Sequence, residues 1–253
     1  MAVSSWNKNF PEDPSDDPGK FFHRLSIFAL STYCHVRKMM PPTTFTFRNI
    51  EGMQIPVFNK ATEVGNVFWD ALISLAETFQ NKKIESIQFY FYGNSKLIEI
   101  FKMSYDYDIV KSIHTPSGTD STTDISEADS VNKAREQIKE AFFKELDNLY
   151  KLCDGLPKIL KKDFPLSFRF LVNVERDSTN LKGFCRASED SLNDVGDDFY
   201  HNDTVSRFDL AETGECKVSI ATTKLKAKGH PKKSRAGFTV TIQNSESSFT
   251  IDE

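Results

Sequence analysis

The chain has 253 residues, a formal charge of −4 and an apolar fraction of 39%. That length supports one good core, and the mild charge argues against a molecule that binds nucleic acid through its overall field. No apolar run approaches the roughly 18 residues of a membrane span. The apolar fraction also leaves room for sizeable polar loops.

Residues 1–19 are polar and acidic, with Pro11, Pro14 and Pro18 among Glu12, Asp13, Asp16 and Asp17. They read as a flexible N-terminal arm without a signal-peptide core. From Lys20 to about Met40 the positions Phe21, Phe22, Leu25, Phe28, Ala29, Thr32, Tyr33 and Val36 recur at helical spacing, and Pro41-Pro42 stops the helix. Phe45 to Phe58 holds turn signals at Glu51-Gly52 and Ile55-Pro56 and is assigned only short extended pieces. A second helix is predicted over Lys60–Phe79, with Val64, Phe68, Ala71, Leu72, Leu75 and Phe79 on one stripe. Ile84–Tyr92 and Leu97–Tyr105 form a hairpin across Gly93-Asn94-Ser95-Lys96.

His114 to Ser130 is a loop of Ser, Thr, Asp and Gly in which phosphorylation would add charge. A third helix follows over Val131–Leu152, with Asp129 or Ser130 as its N-cap. Ser167 to Glu175 then alternates strictly: Phe168, Phe170, Val172 and Val174 face one way, Arg169, Asn173 and Glu175 the other. One face of this strand lies on helices and one is polar, as in an antiparallel sheet covered on a single side. A long polar stretch follows, and alternation returns only at Cys216–Thr223 and Gly237–Gln243. Unstructured segments of that length are uncommon in compact domains. Anchored by strands at both ends, this one reads as a strap that closes over a ligand.

Chemistry-bearing motifs are sparse. Cys34, Cys153, Cys185 and Cys216 lack paired spacing and read as reduced thiols of a cytosolic or nuclear protein. Cys34-His35 has no ligand one helical turn away and is read as structural rather than as a metal or nucleophile site. His201 follows Asp197-Asp198, but no nucleophile elbow accompanies it. No glycine loop cradles phosphate, so neither catalytic residues, nor a metal, nor a cofactor is assigned. Lys217 to Arg235 is basic and free of acids, with Lys224, Lys226, Lys228, Lys232, Lys233 and Arg235 as its patch. It is read foremost as a solubilising loop, with nuclear targeting or weak phosphate contact as the alternative. The third helix's stripe of Phe142, Leu149 and Leu152 is most simply core, though a helix face beside an open strand edge would also make a groove for an extended peptide.

Several weak motifs in order resemble the HORMA-domain family, most closely its nematode-like meiotic chromosome-axis members. They are Arg37-Lys38-Met39-Met40-Pro41-Pro42-Thr43-Thr44-Phe45, Arg48 to Phe58, Ile98 to Tyr105, and Phe168 to Asp177 followed by Asn180-Leu181-Lys182-Gly183-Phe184. The resemblance spans about residues 20–243 and implies an α+β fold. An antiparallel sheet would be covered on one face by three helices, with a C-terminal safety belt over about 177–243 and a short tail at 244–253. It implies a non-enzymatic adaptor in the nucleus, on meiotic chromosomes. Closure-motif peptides of chromosome-axis proteins, other HORMA proteins among them, would pair with strand 167–175 under the belt, supporting homologue pairing, synapsis and crossover control. Cys216–Thr223 and Gly237–Gln243 would then dock beside strand 97–105. The peptide-facing residues would be Phe142, Leu146 and Leu149 on the helix, Arg169, Leu171 and Asn173 on the strand, and Leu181 and Phe184 on the belt. A hexameric remodelling ATPase would grip the arm; weak or no DNA binding and no membrane contact are implied. The alternatives are a spindle-checkpoint or translesion-polymerase HORMA adaptor, or a chromatin-contacting protein using the basic cluster.

Overall fold

The computed structural model describes residues 5–11, 16–93, 96–107, 127–158, 166–175, 204–210, 214–222 and 238–241. Helix α1 (Pro18–Val36) starts on two local devices. Pro18 has a fixed φ suited to a first turn, and the Asp17 carboxylate accepts the Lys20 N–H at 2.9 Å. The helix ends where Lys38 enters the left-handed region (φ 53°) and the Met39 N–H reaches back to the Cys34 carbonyl at 3.0 Å. Its sequence is apolar nearly all round, and the structure buries it on nearly all sides.

The segment that sequence leaves unassigned is a second, separate sheet: β1 (Phe45–Ile50) and β2 (Met53–Phe58) pair antiparallel. Glu51 (φ 48°) and Gly52 (φ 91°) form the two-residue turn, with both central residues in the positive-φ region that hairpin twist favours. The helix expected over Lys60–Phe79 divides into α2 (Glu63–Ser74) and α3 (Ala76–Gln80). At the break, Leu75 is fully buried and its N–H bonds the Leu72 carbonyl at 3.2 Å, one residue tighter than an α-helix.

Strands β3 (Ile84–Gly93) and β4 (Lys96–Asp106) make the expected hairpin. Helix α4 runs Glu127–Gly155, so it begins before Asp129 and Ser130, which lie inside it rather than at its cap. Strand β5 (Leu166–Val174) pairs antiparallel with β3. Three further strands follow: β6 (Thr204–Leu210), β7 (Gly214–Thr222) and β8 (Phe238–Thr241). The order across the six-stranded sheet is β6-β7-β4-β3-β5-β8.

Side chains alternate across this sheet. Phe89, Phe91, Phe101, Met103, Phe168, Val218 and Ile220 point to the helical side and are buried. Phe68 on α2 meets the Phe89 ring at 5.4 Å, and Tyr33 on α1 stacks on Phe101 at 4.4 Å. The helices therefore cover one face, as expected, with α3 added beside α2. Gly19 marks the tightest helical approach, because a Cβ there would lie 2.2 Å from the Phe79 carbonyl oxygen of α3.

Three expectations change. The arm over 1–19 is not loose across residues 5–11: Trp6 and Phe10 are buried, 0% and 3% exposed. Their aromatic surface repays ordering even in a polar, proline-bearing context. Second, the polar stretch after β5 contains β6, paired antiparallel with β7. Third, Phe238–Thr241, the described part of the segment expected over Gly237–Gln243, does not dock beside strand 97–105. That side of β4 is taken by β7, and β8 lies instead at the far edge, parallel to β5.

Candidate functional site

The feature that sets this sheet apart is its β5 edge. One side of β5 pairs with β3 from Leu166 opposite Gly93 to Val174 opposite Ile84. On the other side, β8 pairs in parallel along Leu166–Arg169, opposite Phe238–Thr241. Among the described residues no strand lies beside Leu171–Val174 on that side. A strand edge is a row of backbone donors and acceptors that another extended chain can complete. Here a distant segment of the same chain already completes part of it.

The predicted ligand-facing residues do not share one surface. Phe142, Leu146 and Leu149 on α4 are 2%, 3% and 0% exposed. Phe142 packs on Trp6, Phe10 and Phe28, so the helical stripe is core rather than groove wall. Arg169, Leu171 and Asn173 alternate with inward-facing Phe168 and emerge on the face away from the helices. The Arg169 guanidinium lies 5.9 Å from the Tyr92 ring centroid, and the Asn173 amide donates to Ser86 Oγ at 3.0 Å. Leu181 and Phe184 lie outside the described residues, as do Lys224, Lys226, Lys228, Lys232, Lys233 and Arg235 and also His201.

A buried polar group not singled out as a site by the sequence pattern lies at the C-terminal end of α4. Arg37, just past α1, is buried and forms a two-pronged pair with Glu99 of β4: Nη2 to Oε2 at 2.7 Å and Nε to Oε1 at 2.9 Å. The Tyr33 hydroxyl donates to the same carboxylate at 2.8 Å. Arg37 also donates to the carbonyls of Cys153, Leu156 and Pro157 at 3.2, 3.3 and 2.8 Å. Those carbonyls lie at and beyond the C-terminal end of α4, where a helix leaves acceptors unmet and a cation is favoured. Arg37 thus ties α1, β4 and the end of α4 together at the point where the chain departs toward β5. The signal was available: Glu99 is in phase with Phe101, Met103 and Tyr105, which puts an acid on the buried face.

Cys34 and His35 do not form a site together. Cys34 is buried, and burial pushes its thiol well up, with Cys153 and Glu99 adding to the effect. His35 sits edge-on to Phe45 and Phe47, at 5.2 and 5.3 Å, beside a shallow depression lined by Lys38, Met40, Pro42 and Tyr150. Burial lowers its imidazole. Among the described residues no group of three or more His, Cys, Asp or Glu side chains is placed to hold a metal ion.

Comparison with known proteins bears on this geometry. Residues 20–210 match the HORMA domain family. No curated protein matches the sequence. Among solved structures, C. elegans HTP-2 bound to the HIM-3 closure motif superposes with a TM-score of 0.62 at 13% identity, covering 88% of this chain and 98% of that one. C. elegans HTP-1 bound to HTP-3 motif-1 gives 0.61 at 14% identity, over 86% and 96%. A chain of the mitotic checkpoint complex gives 0.63 at 12% identity, over 85% and 99%. At such identities the likeness establishes the fold.

Proposed function

The chain belongs to the HORMA-domain family, and on that footing we propose that it is a non-enzymatic adaptor that captures extended peptides by strand addition at the β5 edge. The observation that carries this reading is the pairing of β8 with β5, because it makes the outer edge of β5 a strand acceptor. Main-chain pairing supplies affinity in such a mode, and alternate side chains supply selectivity. Arg169, Leu171 and Asn173 are the side chains set to read a peptide on the outer face, with Leu181 and Phe184 at the entry to a belt over about 177–243.

Among the solved structures of similar fold, C. elegans HTP-2 is bound to the HIM-3 closure motif and C. elegans HTP-1 to HTP-3 motif-1. We extend this to a closure-motif adaptor of the meiotic chromosome axis, working in the nucleus in homologue pairing, synapsis and crossover control. A checkpoint-type adaptor is supported by the likeness to the mitotic checkpoint complex and differs only in the motif bound. In either case the chain's own Phe238–Thr241 acts as an internal occupant that a partner motif must displace or extend. A remodelling ATPase acting on residues 1–19 would have to extract Trp6 and Phe10 rather than grip a loose tail.

The test is capture of peptides from chromosome-axis proteins by the full chain, with off-rates followed at low and high salt. A slowly released peptide with little salt response is expected, since phosphate-type contacts lose affinity steeply with salt. Failure to capture any peptide, with salt-sensitive DNA binding instead, would replace this reading by the basic-cluster one.

A further inference from the structure

Residues 5–11 enter the core as a short turn of chain that precedes α1. They form a single turn, with the Phe10 N–H on the Trp6 carbonyl at 2.9 Å. Trp6 and Phe10, four residues apart, stack at 4.3 Å and enter a slot between α1 and α4 together. Its walls are aromatic. Trp6 meets Phe142 at 5.5 Å and Phe143 at 6.0 Å, while Phe10 meets Phe21, Phe28 and Phe142 at 5.3, 5.4 and 4.9 Å. The Lys139 ammonium lies 6.0 Å from the Trp6 ring centroid.

Polar contacts join the segment to β1 and the β1–β2 turn. The Trp6 N–H and Ser5 hydroxyl both donate to Glu51 Oε1 at 3.0 Å, and the Glu51 N–H returns a bond to Ser5 Oγ at 2.9 Å. Arg48 donates to Asn9 Oδ1 at 2.8 Å. The buried indole N–H of Trp6 has no hydrogen-bond partner among the described residues. An unmet buried donor carries a desolvation penalty that an occupant without it would avoid.

We infer that the slot between α1 and α4 is a second peptide-binding site. Trp6–Phe10 is its resident occupant, displaceable by a partner peptide carrying two aromatic side chains four residues apart on one helical turn. Anchors at i and i+4 entering an apolar slot are how a short helix is read. The tether to α1 keeps the resident at an effective concentration in the millimolar range, so weak intrinsic binding suffices to fill the slot in cis. A partner need only exceed that competition. This inference is independent of strand capture at β5.

Two measurements test it, both on the full chain. In a Trp6→Ala/Phe10→Ala variant, a fluorescent peptide covering residues 4–12 is expected to bind saturably. Wild type should bind it at least about tenfold more weakly, as an internal competitor requires. A peptide with both aromatics changed to alanine should not bind. Absence of saturable binding by the folded variant overturns the inference. Should the variant fail to fold, native-state hydrogen exchange of the wild type decides. The amides of Trp6 and Phe10 are expected to exchange through a local opening about a hundredfold more frequent than that of β3. Exchange of those amides only with global unfolding makes the segment inseparable core, and overturns the inference.

Discussion

Arg37 and Glu99, 62 residues apart in sequence, form a two-pronged ion pair with side chains only 4% and 2% exposed. Each charge is held by the other and by groups nearby: Tyr33 on the carboxylate, three α4-end carbonyls on the guanidinium. Replacing Arg37 by alanine would leave a buried carboxylate without its cation. The expected loss is about 3–5 kcal/mol, whereas the double substitution Arg37→Met with Glu99→Leu should recover much of it. Equilibrium denaturant unfolding of both variants measures the difference; equal losses would mean that the stranded Glu99 carboxylate is not the source of the cost.

Removing β8 from the β5 edge should help an added strand. Val240→Pro deletes a backbone donor and is incompatible with a paired interior strand position. The expected result is faster capture of a bound peptide with unchanged thermal stability, read by stopped-flow anisotropy. Slower capture would show that β8 shapes the acceptor instead of competing for it.

His23 is buried, its Nε2 lies 2.9 Å from the Leu72 carbonyl, and burial is the main cause that lowers its pKa. The folded state therefore binds this proton less readily than the unfolded chain, whose His titrates near about 6.5. Stability is held above that pH and falls as pH drops below it toward the folded value. Between pH 7.5 and 5.5, wild type should lose more stability than His23→Gln, measured by urea midpoints. Parallel curves would remove His23 from the pH response, leaving it to other groups such as His35.

The Cys34, Cys153 and Cys216 thiols are all buried, and burial raises each, that of Cys153 to about 12. A thiolate is the reactive form, so these three should resist a thiol-disulfide reagent in the native state. In a Cys185→Ser background, native protein is expected to give no fast labelling, and denatured protein three equivalents. Rapid labelling of the native variant would show that the helical layer opens.

Gly19→Ala should destabilise through overpacking, since its Cβ would meet the Phe79 carbonyl oxygen at 2.2 Å. Separating α1 from α3 is expected to cost about 1–3 kcal/mol. A thermal unfolding midpoint equal to that of wild type would show that α3 shifts freely.

The sequence by itself determined α1, the β3–β4 hairpin, α4 and β5, because in each a period of 3.6 or 2 runs long enough to state which side is buried. The order of weak motifs it contained also led to the HORMA family. Tertiary structure alone decided three things. It placed Trp6 and Phe10 in the core, which no local pattern around two isolated aromatics in a polar arm foretells. It decided between the core and groove readings of Phe142, Leu146 and Leu149 in favour of core, since a helical stripe specifies one face but not what that face meets. And it set β8 parallel on β5 while β7 took β4. Alternation predicts that a segment pairs; its partner and direction depend on which edge remains open once the rest of the chain has packed.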